Sequence, residues 1–172
     1  MITINEIKQL IANDENRTLE LKKSTSELVK GMQTLCAFLN SDGGWLFFGV
    51  TPKLEVLGQN VTDSTQREIA HEMTKIEPAI SLPIEIIDVP ERPGFSVIGI
   101  HCDAAKFGEA PYTYDGRAYY KVESTTILMP RSMFEKRYGE AALYEDAINF
   151  TVNEAYVEYL QKSKLKQRYF PF

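Results

Sequence analysis

The sequence predicts a mixed α/β (α+β) domain in which a partly antiparallel sheet of about five or six strands is flanked by helices. Three observations predict it. Met32, Leu35, Cys36, Phe38 and Leu39 recur at helical spacing. A near-continuous apolar run, Trp45 to Val50, follows and reads as a buried strand. Between them, Asn40-Ser-Asp-Gly-Gly44 puts two glycines where a helix must end and the chain turn into the strand.

The other elements follow in chain order. A helix is expected over about Ile4 to Ala12, with Thr3 or Asn5 as its cap. After the polar turn Asn13 to Arg17, Leu19 and Leu21 alternate with Thr18, Glu20 and Lys22, the pattern of a short strand. Ser24-Thr-Ser26 opens the helix that runs to Leu39. Leu54 to Leu57 should return as a second strand and pair with 45–50 as a hairpin, stopping at Gly58. Asp63 or Ser64 caps a third helix reaching about Ile76, closed by Glu77-Pro78. Strands at Ile84–Val89 and Ser96–Cys102 flank the turn signal Pro90-Glu-Arg-Pro-Gly94. A loop from Ala104 to Tyr114 leads through Asp115-Gly116 to a strand over Arg117–Val122. A short helix begins near Pro130. A last helix, roughly Ala141 to Leu160, carries an apolar stripe that packs on the domain or on a partner. The division expected is a main domain over 1–138 and a C-terminal helix with a basic tail over 139–172.

Composition narrows the functional classes. The 172 residues suffice for a core of ordinary size, and no apolar run reaches the length of a membrane span. The N-terminus lacks the basic-then-apolar layout of a signal peptide, so a cytoplasmic protein with no membrane partner is expected. Cys36 and Cys102 lie in apolar-periodic segments, which fits two buried thiols better than a disulfide or metal ligands. The net charge of −5 means that any surface made for phosphates must be local. Lys22, Lys23 and Lys30 form one candidate group; Lys162-Ser-Lys-Leu-Lys-Gln-Arg168 forms another.

Three constellations could carry chemistry. Glu15, Glu20 and Lys22 are spaced so that Glu20 and Lys22 share one strand face. Two carboxylates and a lysine could hold Mg²⁺ or Mn²⁺ and address a phosphodiester, although an exposed Glu–Lys pair is the plainer alternative. Asp42-Gly-Gly44 follows a helix C-terminus, where the dipole disfavours anions, and reads as a turn rather than a phosphate cradle. Tyr112, Tyr114, Tyr119 and Tyr120, interleaved with Arg117 and Lys121, could stack bases and track a single-stranded backbone, or simply line a sheet. His71 and His101 have no partner at hydrolase-triad spacing.

Together, Glu20-Leu-Lys22, Cys36-Ala-Phe-Leu-Asn-Ser-Asp-Gly-Gly44, Leu46-Phe-Phe-Gly-Val50, Val56-Leu-Gly58 and Tyr119-Tyr-Lys-Val-Glu-Ser124 resemble the Schlafen-type AlbA_2 domain over about residues 3 to 138. That family's pattern runs Glu-Phe-Lys, Ala-Phe-Ala-Asn-Thr-x-Gly-Gly, Gly-Val and Tyr-x-Arg-Val-Gly-Ser. The resemblance implies a DNA-binding or other nucleic-acid-binding regulatory domain, with Lys22, Lys23, Arg117 and Lys121 as contacts. Binding by the domain alone should be weak and salt-sensitive, strengthened by homodimerisation or by further domains. Animal Schlafens use the related fold to cut tRNA and rRNA through clustered carboxylates, so a metal-dependent endoribonuclease is the alternative. Glu15 and Glu20 would then hold Mg²⁺ or Mn²⁺, and Lys22 would stabilise charge on the phosphate. The third acid is not evident, because Thr51-Pro-Lys53 occupies the turn and only Glu55 stands near it. Lys121 and Glu123 also replace the family's Arg and Gly. A protein-interaction module built on helix 141–160 is a further alternative.

Overall fold

The computed structural model describes residues 2–12, 15–106, 109, 111–143, 145, 148, 154 and 158. Helix α1 (Ile4–Ile11) opens on Thr3, whose hydroxyl accepts the Glu6 N–H while the Glu6 carboxylate accepts the Thr3 N–H. Strand β1 (Leu19–Lys22) leads through a 3₁₀ turn (Thr25–Glu27) into α2 (Leu28–Leu39) and then β2 (Gly44–Phe48). Helix α3 (Asp63–Met73), capped by Thr62, precedes the short β3 (Ile76–Glu77). Strands β4 (Ile84–Asp88) and β5 (Ser96–Cys102) follow, and β6 (Thr113–Tyr114), β7 (Tyr119–Val122) and β8 (Thr125–Leu128) complete the set.

The central sheet is mixed and has the order β1-β2-β5-β4. Strand β1 runs parallel to β2, and the other two pairings are antiparallel. The parallel pair is what α2 makes possible, since it carries the chain back across the sheet. Alternation then divides the side chains between two cores. Leu46, Phe48, Ile98 and Ile100 face α2 and α3. Leu19, Leu21, Phe47 and Val97 face α1.

The sheet is thus narrower than the five or six strands expected; β3–β6 and β7–β8 form separate two-stranded pieces. The hairpin expected between 45–50 and Leu54–Leu57 is reduced to a single bridge, Val50 to Val56. Leu54 takes a left-handed φ of 64°, and the Thr51 hydroxyl accepts the amides of Lys53 and Glu55. A turn this tight uses the donors that a ladder would need. Helix α3 stops at Met73, before the expected Ile76, because Ile76 is drawn into pairing with Tyr114. Residues 131–143 are helical without interruption from Pro130, as suits a proline at a helix start. The expected short helix and the start of the last one are therefore continuous there. Most of the expected helix beyond 143, and the basic run Lys162 to Arg168, lie outside the described residues.

Cys36 and Cys102 are free and buried. Burial pushes the Cys36 thiol up to about 11 and Cys102 up to about 12. Both raised values favour the protonated thiol in the folded state. Their contribution to stability is complete below about pH 9 and is lost as pH climbs toward 11–12. A thiol reagent at pH 8 should therefore label neither cysteine in the native protein and both in urea. Rapid native labelling would contradict this placement.

Candidate functional site

Glu20 sits on β1, and strand alternation turns it and Lys22 toward α2. In the middle of the sheet that face is apolar; at the β1 edge it is charged. The Glu20 carboxylate is one-tenth exposed, and each of its oxygens has a lysine. Lys22 Nζ pairs with Oε1. Lys121 Nζ, on β7, lies 2.9 Å from Oε2 and 2.7 Å from the Ser124 carbonyl. The Lys121 side chain has no exposed surface, whereas Lys22 keeps 12 %. The Phe38 ring, 5.4 Å from the Lys121 ammonium, closes the pocket from α2. One carboxylate facing two ammonium groups leaves the cluster with a net positive charge.

The hairpin β7–β8 is held over α2 by polar ties. The Lys121 amide donates to Ser41 Oγ at 2.9 Å, and Thr34 and Thr126 share a hydroxyl contact of 3.0 Å. Buried Asn40 does more. Its Nδ2 donates to the Tyr112 and Tyr119 carbonyls at 2.7 and 2.9 Å, and its Oδ1 accepts the Tyr112 amide at 2.7 Å. Asn40 and Ser41 were legible only as a helix end. Their offset from Gly43-Gly44 within the motif was the signal that they serve more than a turn.

Lys121 is corrected from a surface contact to a buried ion-pair partner, since an ammonium with no exposed surface cannot reach a phosphate in this conformation. Arg117 is exposed, but it sits in the Tyr114–Arg117 turn beside Lys75, about 13 Å of extended chain from Lys121. Lys23 is exposed next to Lys22, and Lys30 is exposed on α2. The tyrosine group does not form a stacking platform. Tyr114 is buried with its hydroxyl on Glu72, and burial first, then that carboxylate, raises its pKa. Tyr112 and Tyr119 pack against the α2 core.

Glu15 does not converge with Glu20 on an open face. Its Oε1 accepts the Leu21 amide at 2.9 Å. Leu19 exchanges backbone bonds with Asn16, so the outer rim of β1 is covered by its own preceding loop. This donor set does not fit a resident Mg²⁺ or Mn²⁺. The Glu20 oxygens are both held by cations, the Glu15 oxygen caps a strand amide, and no group of three acids, histidines or cysteines converges among the described residues.

Comparison with known proteins agrees with this architecture. The N-terminal domain of a RecG-related protein from Nitrosomonas europaea superposes with a TM-score of 0.51 at 22% identity, covering 76% of this chain and 94% of that one. The DIP2311 protein of Corynebacterium diphtheriae superposes with a TM-score of 0.51 at 15% identity, covering 78% of this chain and 27% of that one. These likenesses concern the fold. The C-terminal part has a different affinity: residues 128–171 match the family described as bacterial trigger factor protein. Trigger factor of Caldicellulosiruptor bescii is 33% identical over 75 residues, 41% of this chain and 17% of that protein. Trigger factor of Lachnoclostridium phytofermentans is 50% identical over 36 residues, 21% of this chain and 8% of that protein. The chain thus spans under a fifth of the curated relatives it matches. Residues 15–130 match the family described as Schlafen, AlbA_2, and with that match covering most of the chain, the protein belongs to the Schlafen AlbA_2 family.

Proposed function

We propose that this domain binds the sugar-phosphate backbone of nucleic acid through the connection from β1 to α2, with Lys22 and Lys23 at its centre and Lys30 on the adjoining helix. The observation that carries this reading is the sharing of Glu20 by two lysines. Lys121 takes one oxygen of Glu20 from below, so Lys22, with 12% of its side chain exposed, shares a single carboxylate with a second cation and its charge is only partly compensated. The family, and a fold neighbour related to RecG and named for ATP-dependent DNA helicases, support the same reading. Phosphate contacts of this kind carry no base preference. An acidic chain with three such cations should bind weakly and lose affinity steeply with salt.

Fluorescence anisotropy with labelled single-stranded and duplex DNA and RNA tests it. At about 20 mM salt, binding in the micromolar to sub-millimolar range is expected. Lys23→Ser and Lys30→Ser should each weaken it a few-fold, with the salt slope falling by about one per lost phosphate contact. A flat signal on all four ligands at about 0.1 mM protein would sink the proposal.

A second reading rests on the C-terminal helical residues, where Tyr138, Leu143 and Ile148 are exposed, Leu143 by 71%. Such apolar side chains suit self-association. The paired substitution Leu143→Glu/Ile148→Glu should halve the particle mass measured by light scattering if the chain is a homodimer through this helix. An unchanged mass would remove that reading.

A further inference from the structure

On the sheet face opposite Glu20 and Lys22, the chain leaves open a cleft of about 600 Å³, within the range of small-ligand sites. Its floor is the Trp45 ring on β2, with Leu19 beside it on β1 and His101 on β5. The indole lies parallel to the Phe47 ring at 5.1 Å between centroids, and the imidazole leans against it at 4.8 Å. Helix α1 forms the wall with Glu6, Gln9 and Leu10. Trp45 is only half-buried and Leu10 is 38% exposed, so apolar surface is left wet inside a concavity.

Carboxylates predominate around the cleft. Glu6, Asp42 and Asp103 line it, and among the described residues no lysine or arginine does. Glu6 holds the Thr3 amide through one oxygen, and the Asp42 charge is offset by Arg17, which leaves Glu6 and Asp103 as the carboxylates for a ligand. Asp103 is exposed at the end of β5. Carboxylates at the rim and an indole face at the floor both attract a cation, and both act more strongly where water is partly excluded. The same field repels phosphate, which excludes this face from the nucleic-acid surface proposed above.

We propose that the cleft is a binding site for an organic cation, an ammonium or guanidinium group carried on an apolar stem. The stem covers the Leu10 and Trp45 surface, and the charged head meets the Glu6 and Asp103 carboxylates. Free amines and the basic side chains of a partner polypeptide share this chemistry.

Trp45 is the sole tryptophan of the chain, so its emission reports directly on the cleft. The full chain is titrated with agmatine and, separately, with acetyl-Ala-Arg-Ala-amide, while acetyl-Ala-Leu-Ala-amide supplies an apolar stem without charge. A saturable change in emission is expected with the cations at millimolar concentration or below. The change should be about five-fold weaker in Glu6→Gln/Asp103→Asn with an unaltered circular dichroism spectrum. It should be unaffected in Lys23→Ser, the variant that reports on the other face. Tighter binding of the peptide assigns the site to a basic segment of a partner, and tighter binding of agmatine to a small free amine. No saturation with either cation by about 20 mM, or an equal response to the leucine peptide, overturns the proposal.

Discussion

Replacing Glu20 by Gln is expected to lower the unfolding free energy by about 3 kcal/mol, among the largest effects of a near-isosteric change in this protein. The size follows from an asymmetry between the two lysines. Lys22 keeps a path to solvent and can take its charge back into water. Lys121 cannot: its side chain is fully enclosed beneath the β7–β8 hairpin and against Phe38. In the variant its ammonium would keep the Ser124 carbonyl and a neutral amide oxygen, neither of which balances a buried charge. The pairing of Glu20→Gln with Lys121→Met separates this account from a loss of packing. Removing both charges should recover more than half of the loss, because methionine fills similar space without an ion to desolvate. Urea unfolding at pH 7 reads the outcome as midpoint shifts at constant slope. A single variant within about 0.5 kcal/mol of the parent, or a double variant as unstable as the sum of the two singles, would show that the cluster is not coupled in this way.

The second large effect is expected at Gly44. Its φ of +151° is one that other residues rarely adopt, and a Cβ there would lie 2.3 Å from the Thr18 carbonyl oxygen and 2.7 Å from its carbon. These are backbone atoms of the residue that leads directly into β1, the strand that β2 must join, and the Trp45 amide already donates to that same oxygen at 2.9 Å. Neither neighbour can yield without opening the parallel β1–β2 pair. Gly44→Ala should therefore cost about 4 kcal/mol or leave the chain unfolded at room temperature. Gly94→Ala is the internal control. Gly94 also has a positive φ, +82°, but nothing lies within 4 Å of the added methyl, so only backbone strain is left, about 1 kcal/mol. Thermal unfolding of the two variants checks the contrast. Equal losses at both positions would mean that conformation alone, and not the approach of β1, requires glycine at 44.

These two sites also show how much the sequence disclosed. The glycine joint was legible because a helical period stops at Asn40 and a buried strand begins at Trp45, a change that local residues fix between them. Thr3 and Pro130 signalled helix starts for local reasons, a cap for the first turn and a ring that suits it. The cap expected at Asp63 or Ser64 is instead Thr62, whose hydroxyl accepts the Thr65 amide. Where a rival contact came from elsewhere, local signals misled. Leu54–Leu57 has strand composition, yet the Thr51 hydroxyl and a left-handed Leu54 turn it into a bend. Ile76 continues the periodicity of α3, yet Tyr114 claims it for a ladder.

For the candidate site, the sequence by itself determined that Glu20 and Lys22 share a face, since alternation in a strand has a fixed period, and that any basic surface must be local, since the net charge is negative. It also carried the motif by which the family is known. Only the tertiary structure decided what those charges do. Lys121, 101 positions away, fills the second oxygen of Glu20 from beneath a hairpin, and Glu15 spends its carboxylate on the edge of β1. Trp45, read simply as the start of a buried strand, becomes the floor of an acidic cleft. The physical reason is the same in each case. Periodicity reports which side of an element a residue occupies, but burial and charge pairing depend on what packs over that side, and that is supplied by segments far away in the chain.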